Sequence, residues 1–285
     1  QWHWLYLFLL NCRGQALSAG TERNLHLATY SLSCLQQTRS ILGNDFSYDD
    51  SQSGIVRLIS TQKEADAARD YFAKHHQDKK IVWMEPSELA AKDTAFRSAV
   101  ESNLIAGAVM GATDESGDAR IFATKLATEF ENRGGEIRTN CRVTDFISHN
   151  GYVQGVTTEH GDLLADRVVL SSGVASRALA KKIGITIPIL PIKGYSVTVP
   201  ITDERNVPIA SCTDLKHRLV ISRLGSRLRV AGFAEIGSDD ACDAGRAAAA
   251  RDRLEESFPE AADYHLFENW TGFRPMTPDG APIIG

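Results

Sequence analysis

Apolar residues recur at helical spacing from Asn24 to Leu42, at Leu25, Leu27, Ala28, Leu32 and Leu35. They predict an amphipathic helix that stops at Gly43. Gly54–Ile59 reads as a strand, and Gln62–His76, rich in Ala, Glu and Lys, as a helix. From Trp83 to Leu89 the pattern predicts a strand end, a Pro86 turn and a helix start. Ala106–Val109 is a short apolar strand. The acids of Asp114–Asp118 suit a helix N-terminus, and a helix follows from Arg120 to Asn132 with Phe122, Leu126, Ala127 and Phe130 on one face. Gly134-Gly135 ends it. Glu136–Thr139 and Val143–Ile147 read as strands, and Tyr152–Thr158 alternates and pairs back through the hairpin signal Asn150-Gly151. Arg167–Gly173 reads as a buried strand running into a Gly turn and a helix, Ala175–Ile183.

The remainder predicts strands at Ile192–Val199, Leu219–Ser222 and Arg227–Phe233, then a helix at Gly245–Phe258. That is a sheet with one covering helix. Val109–Ile183 reads as an α/β unit whose last strand ends in small residues, where open α/β sheets bind their ligands. No G-x-G-x-x-G, the phosphate-binding βα turn of dinucleotide folds, stands in this sequence.

Composition narrows the class. The chain has 285 residues, 43% hydrophobic and 24% charged, enough for one large or two moderate domains. Its net charge of −5 argues against nucleic-acid binding, which needs a basic surface. Five widely spaced cysteines without a CxxC predict reduced thiols and no metal site. The run Trp4–Leu10 is far short of the roughly 20 residues that span a bilayer. It predicts a buried or membrane-surface helix. The expected location is the cytoplasm, with peripheral contact at the inner face of the bacterial cytoplasmic membrane through this stretch.

The closing residues, Gly272-Phe273-Arg274-Pro275-Met276-Thr277-Pro278-Asp279-Gly280-Ala281-Pro282-Ile283-Ile284-Gly285, fit a G-x-R-P-x-T-P-D-G-x-P-x-I-G pattern. In this the chain resembles the flavin-dependent D-amino acid oxidase family, most closely its branch of bacterial dehydrogenases acting on D-amino acids. Further stretches carry the resemblance in family order. They are Asn11-Cys12 with Leu27–Leu35, then Asp114–Asp118, Pro191–Ser196, and Ile221–Gly225 leading to Arg229–Gly232. Ser171-Ser172-Gly173 and His217 depart from it, standing where Ala or Leu before Gly, and an aromatic Tyr, are common.

The resemblance implies an α/β (mixed α+β) fold in which an FAD-binding Rossmann-like domain interleaves with a sheet-plus-helix substrate domain. The expected division is 1–105 and 188–270 for substrate, 106–187 and 271–285 for FAD. It also implies a segment of a longer flavoenzyme. The chain opens on Gln1, after the family's Gly-rich turn, and stops at Gly285, before a last flavin contact. By itself it is then expected to bind FAD poorly.

The implied reaction is oxidation of a D-amino acid to an imino acid, with hydrolysis to a 2-oxo acid and ammonia. Two electrons pass to FAD and on to a quinone-type acceptor. No side chain is required as catalytic base, because a closed apolar pocket favours the neutral amine. The task left to the protein is to grip the substrate carboxylate, which a guanidinium fork does with two charge-assisted hydrogen bonds. Arg274 matches the family's carboxylate-binding arginine. Tyr195 is expected to offer its phenol to the same carboxylate or to shape the pocket, or else to be a core aromatic. His217 is expected to line the pocket or to be structural. For FAD the resemblance implies Val143 against the adenine, Ser172 and Gly173 at a backbone approach, and Pro275, Asp279 and Gly280 near the flavin ring. A glycine-, sarcosine- or opine-type oxidase, and an inactive scaffold, are the alternatives.

Overall fold

The computed structural model describes residues 2–43, 45–75, 80–236 and 241–284. Two helices open the chain, α1 (Trp2–Asn11) and α2 (Gly14–Leu42). α2 starts well before Asn24, because Ala16, Ala19 and Glu22 extend it as helix formers. The Gly43 stop stands, its amide donating to the Arg39 carbonyl at 2.9 Å.

Strands β1 (Ile55–Ile59), β2 (Ile81–Met84) and β3 (Gly107–Gly111) follow, with helices α3 (Gln62–His75), α4 (Pro86–Lys92) and α5 (Arg97–Glu101) between them. His76, the expected end of α3, lies outside the described residues. Helix α6 (Ala119–Asn132) begins on Asp118, whose Oδ1 accepts from the amides of Arg120 at 2.8 Å and Ile121 at 3.1 Å. β4 (Val143–His149) and β5 (Tyr152–Thr158) form the expected hairpin, with Asn150 and Gly151 at φ 51° and 81°. β6 (Gly161–Leu164) completes that small sheet. After helix α7 (Ser176–Lys182) come β7 (Leu190–Pro200), β8 (Ser211–Asp214), β9 (Leu219–Leu224), β10 (Arg227–Ile236), helix α8 (Ala244–Ser257) and β11 (Glu268–Met276).

The large sheet has the order β11-β7-β10-β9-β8-β1-β3-β2. It crosses the boundaries expected at 106 and 271, since β3 pairs with β1 and β2, and β11 runs through residue 271 beside β7. Its main core lies under α8. Val197, Val199, Ile221, Leu228 and Val230 meet Ala247, Ala250 and Leu254, all buried at helical spacing on α8. β8 and β11 are strands that the hydrophobic pattern does not announce. β11 contains Pro275 and Gly272, tolerated because it is an edge strand.

Two expected strands are corrected. Glu136–Thr139 and Arg167–Gly173 are irregular, and Val169 is 86% exposed rather than buried. A strand exists only with a partner to take its amides and carbonyls, and no described strand pairs with either segment. The last residue of the second, Gly173, instead opens a 3₁₀ turn, Gly173–Ala175, which leads into α7.

Among the described residues no helix is long and apolar enough to cross a membrane. Trp4 of α1 packs with Leu190 and Ile192, and its Nε1 donates to the Met276 carbonyl at 3.0 Å. Trp2, Tyr6 and Leu9 of the same helix are exposed.

Candidate active site

Alternation along β7 sends Lys193, Tyr195, Val197 and Val199 to the α8 side of the sheet, and Ile192, Gly194 and Ser196 to the other. Register places Arg274 opposite Ile192, Gly272 opposite Gly194 and Trp270 opposite Ser196. The open face therefore carries Arg274, Gly194, Gly272, Trp270 and Ser196 in a row. Arg229, paired opposite Thr198, joins them and donates from Nη2 to Ser196 Oγ at 3.0 Å.

Both glycines in this row are cradles. A Cβ on Gly194 would stand 2.6 Å from Arg274 Nη2, so the guanidinium lies flat on that glycine. A Cβ on Gly272 would stand 2.1 Å from the Trp270 ring, so the benzo edge of the indole fills the space over that glycine. Arg274 Nη1 donates to the Phe233 carbonyl at 2.7 Å. The side chain is otherwise exposed, as is Trp270 at 59%. The Arg229 guanidinium sits 5.6 Å from the Trp270 ring centre, and its Nε is buried with no hydrogen-bond partner. The outcome is an aromatic floor between two cations, with most of the Arg274 fork open.

Tyr195 lies on the far side. It is 2% exposed, and its hydroxyl donates to Glu235 Oε2 at 2.6 Å. Burial, together with that hydrogen bond, pushes the phenol above its ordinary pKa, so it stays a donor. Arg246 Nε stands 3.2 Å and Lys193 Nζ 3.9 Å from the same carboxylate. Lys193 is buried and donates to the Ala241 carbonyl at 3.2 Å.

His217 sits in the β8–β9 turn, with Nδ1 2.8 Å from Asp214 Oδ2. The same oxygen accepts from Arg253 Nε at 2.8 Å. Asp214 pairs with Leu219, which pairs with Gly232, which pairs with Tyr195. That line puts Asp214 on the α8 side too. Burial raises the Asp214 pKa, but the hydrogen bonds from His217 and Arg253 outweigh this and hold it below the usual carboxylate range. Among the described residues His217 is thus tied to Asp214, and not joined to Arg274.

The residues considered for FAD fall in two places. Val143, Ser171 and Ser172 line a cleft of about 830 Å³ with Phe146, Val168 and Leu170. Gly173, next in the chain after Ser172, is at φ 58° with open space where a Cβ would stand. The Gly173–Ala175 turn lies against β11, so this cleft adjoins the strand that carries Arg274. Pro275 is next to Arg274 on β11, opposite Pro191. Asp279 and Gly280 turn back onto α2. Arg23 pairs with the Asp279 carboxylate at 3.3 Å and donates to its carbonyl at 3.2 Å, and Asn24 Nδ2 reaches the Gly280 carbonyl at 3.4 Å. These residues line a second cavity of about 610 Å³ with Phe8, Asn11 and Cys12, and the Asn24 side-chain oxygen is buried without a partner. The Asp114–Asp118 loop is engaged structurally, Glu115 Oε2 meeting Arg39 at 2.6 Å and Asp118 capping α6.

Clefts of this size and mixed lining are typical of cofactor sites. An apolar wall with serine hydroxyls, an exposed aromatic face and unpaired buried polar atoms suit a large planar ligand with polar edges. Trp270, Arg229 and Glu235 were not among the expected site residues, although Arg229 stands in a stretch that carries the resemblance. The W-x-G spacing that lets an indole lie on a glycine is the one signal that could have found Trp270.

A model of the FAD dependent oxidoreductase family matches residues 11–285, and the chain belongs to that family. The chain is 36% identical over 288 aligned residues to the D-amino acid dehydrogenase of Paramagnetospirillum magneticum, covering 100% of this chain and 67% of that protein. It is 34% identical to that of Vibrio vulnificus, covering 99% and 67%. The chain thus spans about two thirds of these relatives. Glycine oxidase from Geobacillus kaustophilus shares the fold with a TM-score of 0.75 at 22% identity, over 92% of this chain and 68% of that one. L-proline dehydrogenase from P. horikoshii does so at 0.72 and 16%, over 87% and 67%.

Proposed function

We propose that this chain forms the substrate-gripping part of an FAD-dependent D-amino acid dehydrogenase. It would oxidise a D-amino acid to an imino acid, hydrolysed by water to a 2-oxo acid and ammonia, with a quinone-type acceptor taking the electrons. The observation that carries the reading is the Arg274 fork. It lies on Gly194, is anchored by one N–H on the Phe233 carbonyl, and is open along its remaining donors beside Trp270. Such a fork recognises a carboxylate bidentately.

When bound, FAD supplies the two-electron acceptor for the hydride from the substrate Cα. The cleft at Val143, Ser172 and Gly173 would hold its adenosine end. The turn of Pro275, Asp279 and Gly280 would back the ring end. Arg274 fixes the carboxylate, and the Trp270 indole supports the apolar side chain and keeps water from that face. The neighbouring Arg274 and Arg229 cations disfavour a third positive charge and so favour the neutral amine, whose nitrogen lone pair assists departure of the hydride. Tyr195 shapes the site from beneath. The exposed Trp2, Tyr6 and Leu9 of α1 are the surface that would meet a membrane.

The test is a panel of D-amino acids, glycine and sarcosine with the native FAD-loaded protein and a quinone or dye acceptor. D-amino acid turnover is expected, and Arg274→Lys should raise KM at least tenfold, because a point charge replaces the fork. Turnover of glycine and sarcosine alone, or an unchanged KM, overturns the proposal.

A further inference from the structure

Arg274 owes its direction to a carbonyl, and that carbonyl stands where it does because of an irregularity in β10. Gly232 pairs with Tyr195, but Glu235 pairs with Lys193. Three steps along β10 therefore match two along β7, which leaves one extra residue, a β-bulge at Phe233–Ala234. Phe233 adopts φ 61°, a left-handed conformation that costs a side-chain-bearing residue energy. Such a conformation persists only where its surroundings hold it. Bulges re-aim groups next to functional sites, and this one presents the Phe233 carbonyl to Arg274 Nη1 at 2.7 Å.

What holds the bulge lies on the other side of the sheet. Glu235 is the first residue back in register. Its carboxylate accepts from the Tyr195 hydroxyl at 2.6 Å and stands 3.2 Å from Arg246 Nε and 3.9 Å from Lys193 Nζ. The Tyr195 ring meets the Phe233 ring edge-on, with centres 5.9 Å apart. Arg246 stacks 5.9 Å from both ring centres. The bulged residue is thus gripped by its own ring, and the residue two places on by its carboxylate.

We propose that Glu235 is a positioning residue for Arg274. Through the Phe233–Ala234 bulge it fixes, from the α8 side of the sheet, the angle of a carboxylate-binding fork on the opposite side. Tyr195 acts with it as a second anchor. Neither touches substrate. The inference rests on the assignment of Arg274 as the carboxylate grip.

The experiment makes Glu235→Ala, Glu235→Gln, Tyr195→Phe and Arg274→Lys in the native FAD-loaded protein, with the double variant Arg274→Lys/Glu235→Ala. Steady-state kinetics are read beside the affinity for propionate, which has the carboxylate but no amine to oxidise. Glu235→Ala should raise KM about tenfold and weaken propionate equally, with kcat moving less than threefold, since a misaimed fork loses grip before chemistry. Glu235→Gln keeps an acceptor for the Tyr195 hydroxyl and should restore most of the affinity. Tyr195→Phe should raise KM about threefold. The double variant should bind no more weakly than Arg274→Lys alone, because both changes act through one fork. If Arg274→Lys raises KM while Glu235→Ala or Tyr195→Phe only lowers the melting temperature, this inference is overturned and the proposed function stands. If Glu235→Ala does not fold, unchanged KM and propionate affinity in both Glu235→Gln and Tyr195→Phe overturn it. If Arg274→Lys itself leaves KM unchanged, both readings fall together.

Discussion

Alanine at position 194 tests the open face directly. Its methyl carbon would stand 2.6 Å from Arg274 Nη2 and 2.7 Å from both Cζ and Nη1. Non-bonded contacts of this kind settle near about 3.5 Å, so the guanidinium must retreat by about 0.9 Å. Its 2.7 Å bond to the Phe233 carbonyl then stretches to about 3.6 Å, beyond a hydrogen bond. The clash involves only the end of a flexible side chain, so the backbone has no need to move. The folding cost should therefore stay under about 1 kcal/mol, and the lost freedom of the unfolded chain offsets part of it. The loss falls on the carboxylate. A hydrogen bond to a charged group contributes about 1.5–3 kcal/mol, which converts to a rise in KM of roughly ten- to a hundredfold. Steady-state kinetics of Gly194→Ala in the FAD-loaded protein, with a melting curve as control, measure both effects. A KM within threefold of the unsubstituted protein, with the melt unchanged, would refute the cradle argument.

Other consequences are as direct. Asp214→Ala should lower stability by about 2–3 kcal/mol in denaturant titration, below the usual 3–5 for a broken buried pair, because Arg253 keeps Glu256 at 2.6 Å. The Asp214 carboxyl titrates below the usual range when folded, so its stabilisation is complete above about pH 5 and fades as pH falls below about 4. Asp214→Asn should flatten that acid limb of the melting curve, and an unaltered limb would show the carboxylate contributes nothing. A thiol reagent should modify exposed Cys12 and Cys242 in the native state and reach Cys212 only after unfolding, because Cys212 is buried and burial pushes its thiol pKa far up. Trp270→Ala should leave stability within about 0.5 kcal/mol yet raise KM most for substrates with large apolar side chains; a uniform change across the panel would remove the indole from the site.

Much of the fold was legible as hydrophobic pattern. The α3 and α8 helices and the β7, β9 and β10 strands bury an apolar face with the right period, and α6 and the Asn150-Gly151 hairpin stand where the pattern and the turn put them, although no residue of α6 is buried. β8 and β11 were not legible, for definite reasons. Ser211–Asp214 is four residues without alternation, and β11 mixes Gly272 and Pro275 into an edge strand. Arg167–Gly173 erred in the opposite direction. Its Val-Val-Leu run has strand composition, but periodicity reports propensity and not partners, and no described strand lies beside it. For the site, a motif could point to Arg274 but not to what aims it. The open Arg274 face follows from alternation once β7 is paired with β11. The Phe233 bulge does not, because a one-residue slip between β10 and β7 exists only in their register.

That same alternation explains how one strand serves both stability and recognition. Odd positions of β7 from Lys193 to Val199 face α8, where burial makes every polar group costly unless paired, and Tyr195, Lys193 and Glu235 are paired there. Even positions face the open side, where Gly194 and Ser196 lie under Arg274 and beside Arg229. The polar network beneath is too buried to meet a substrate, yet it borders the one bulge that sets the carbonyl under the fork. A sheet ordinarily insulates its two faces, because side chains on opposite sides do not touch. Here the bulge breaks that insulation at a single residue, Phe233, whose ring belongs to one face and whose carbonyl belongs to the other.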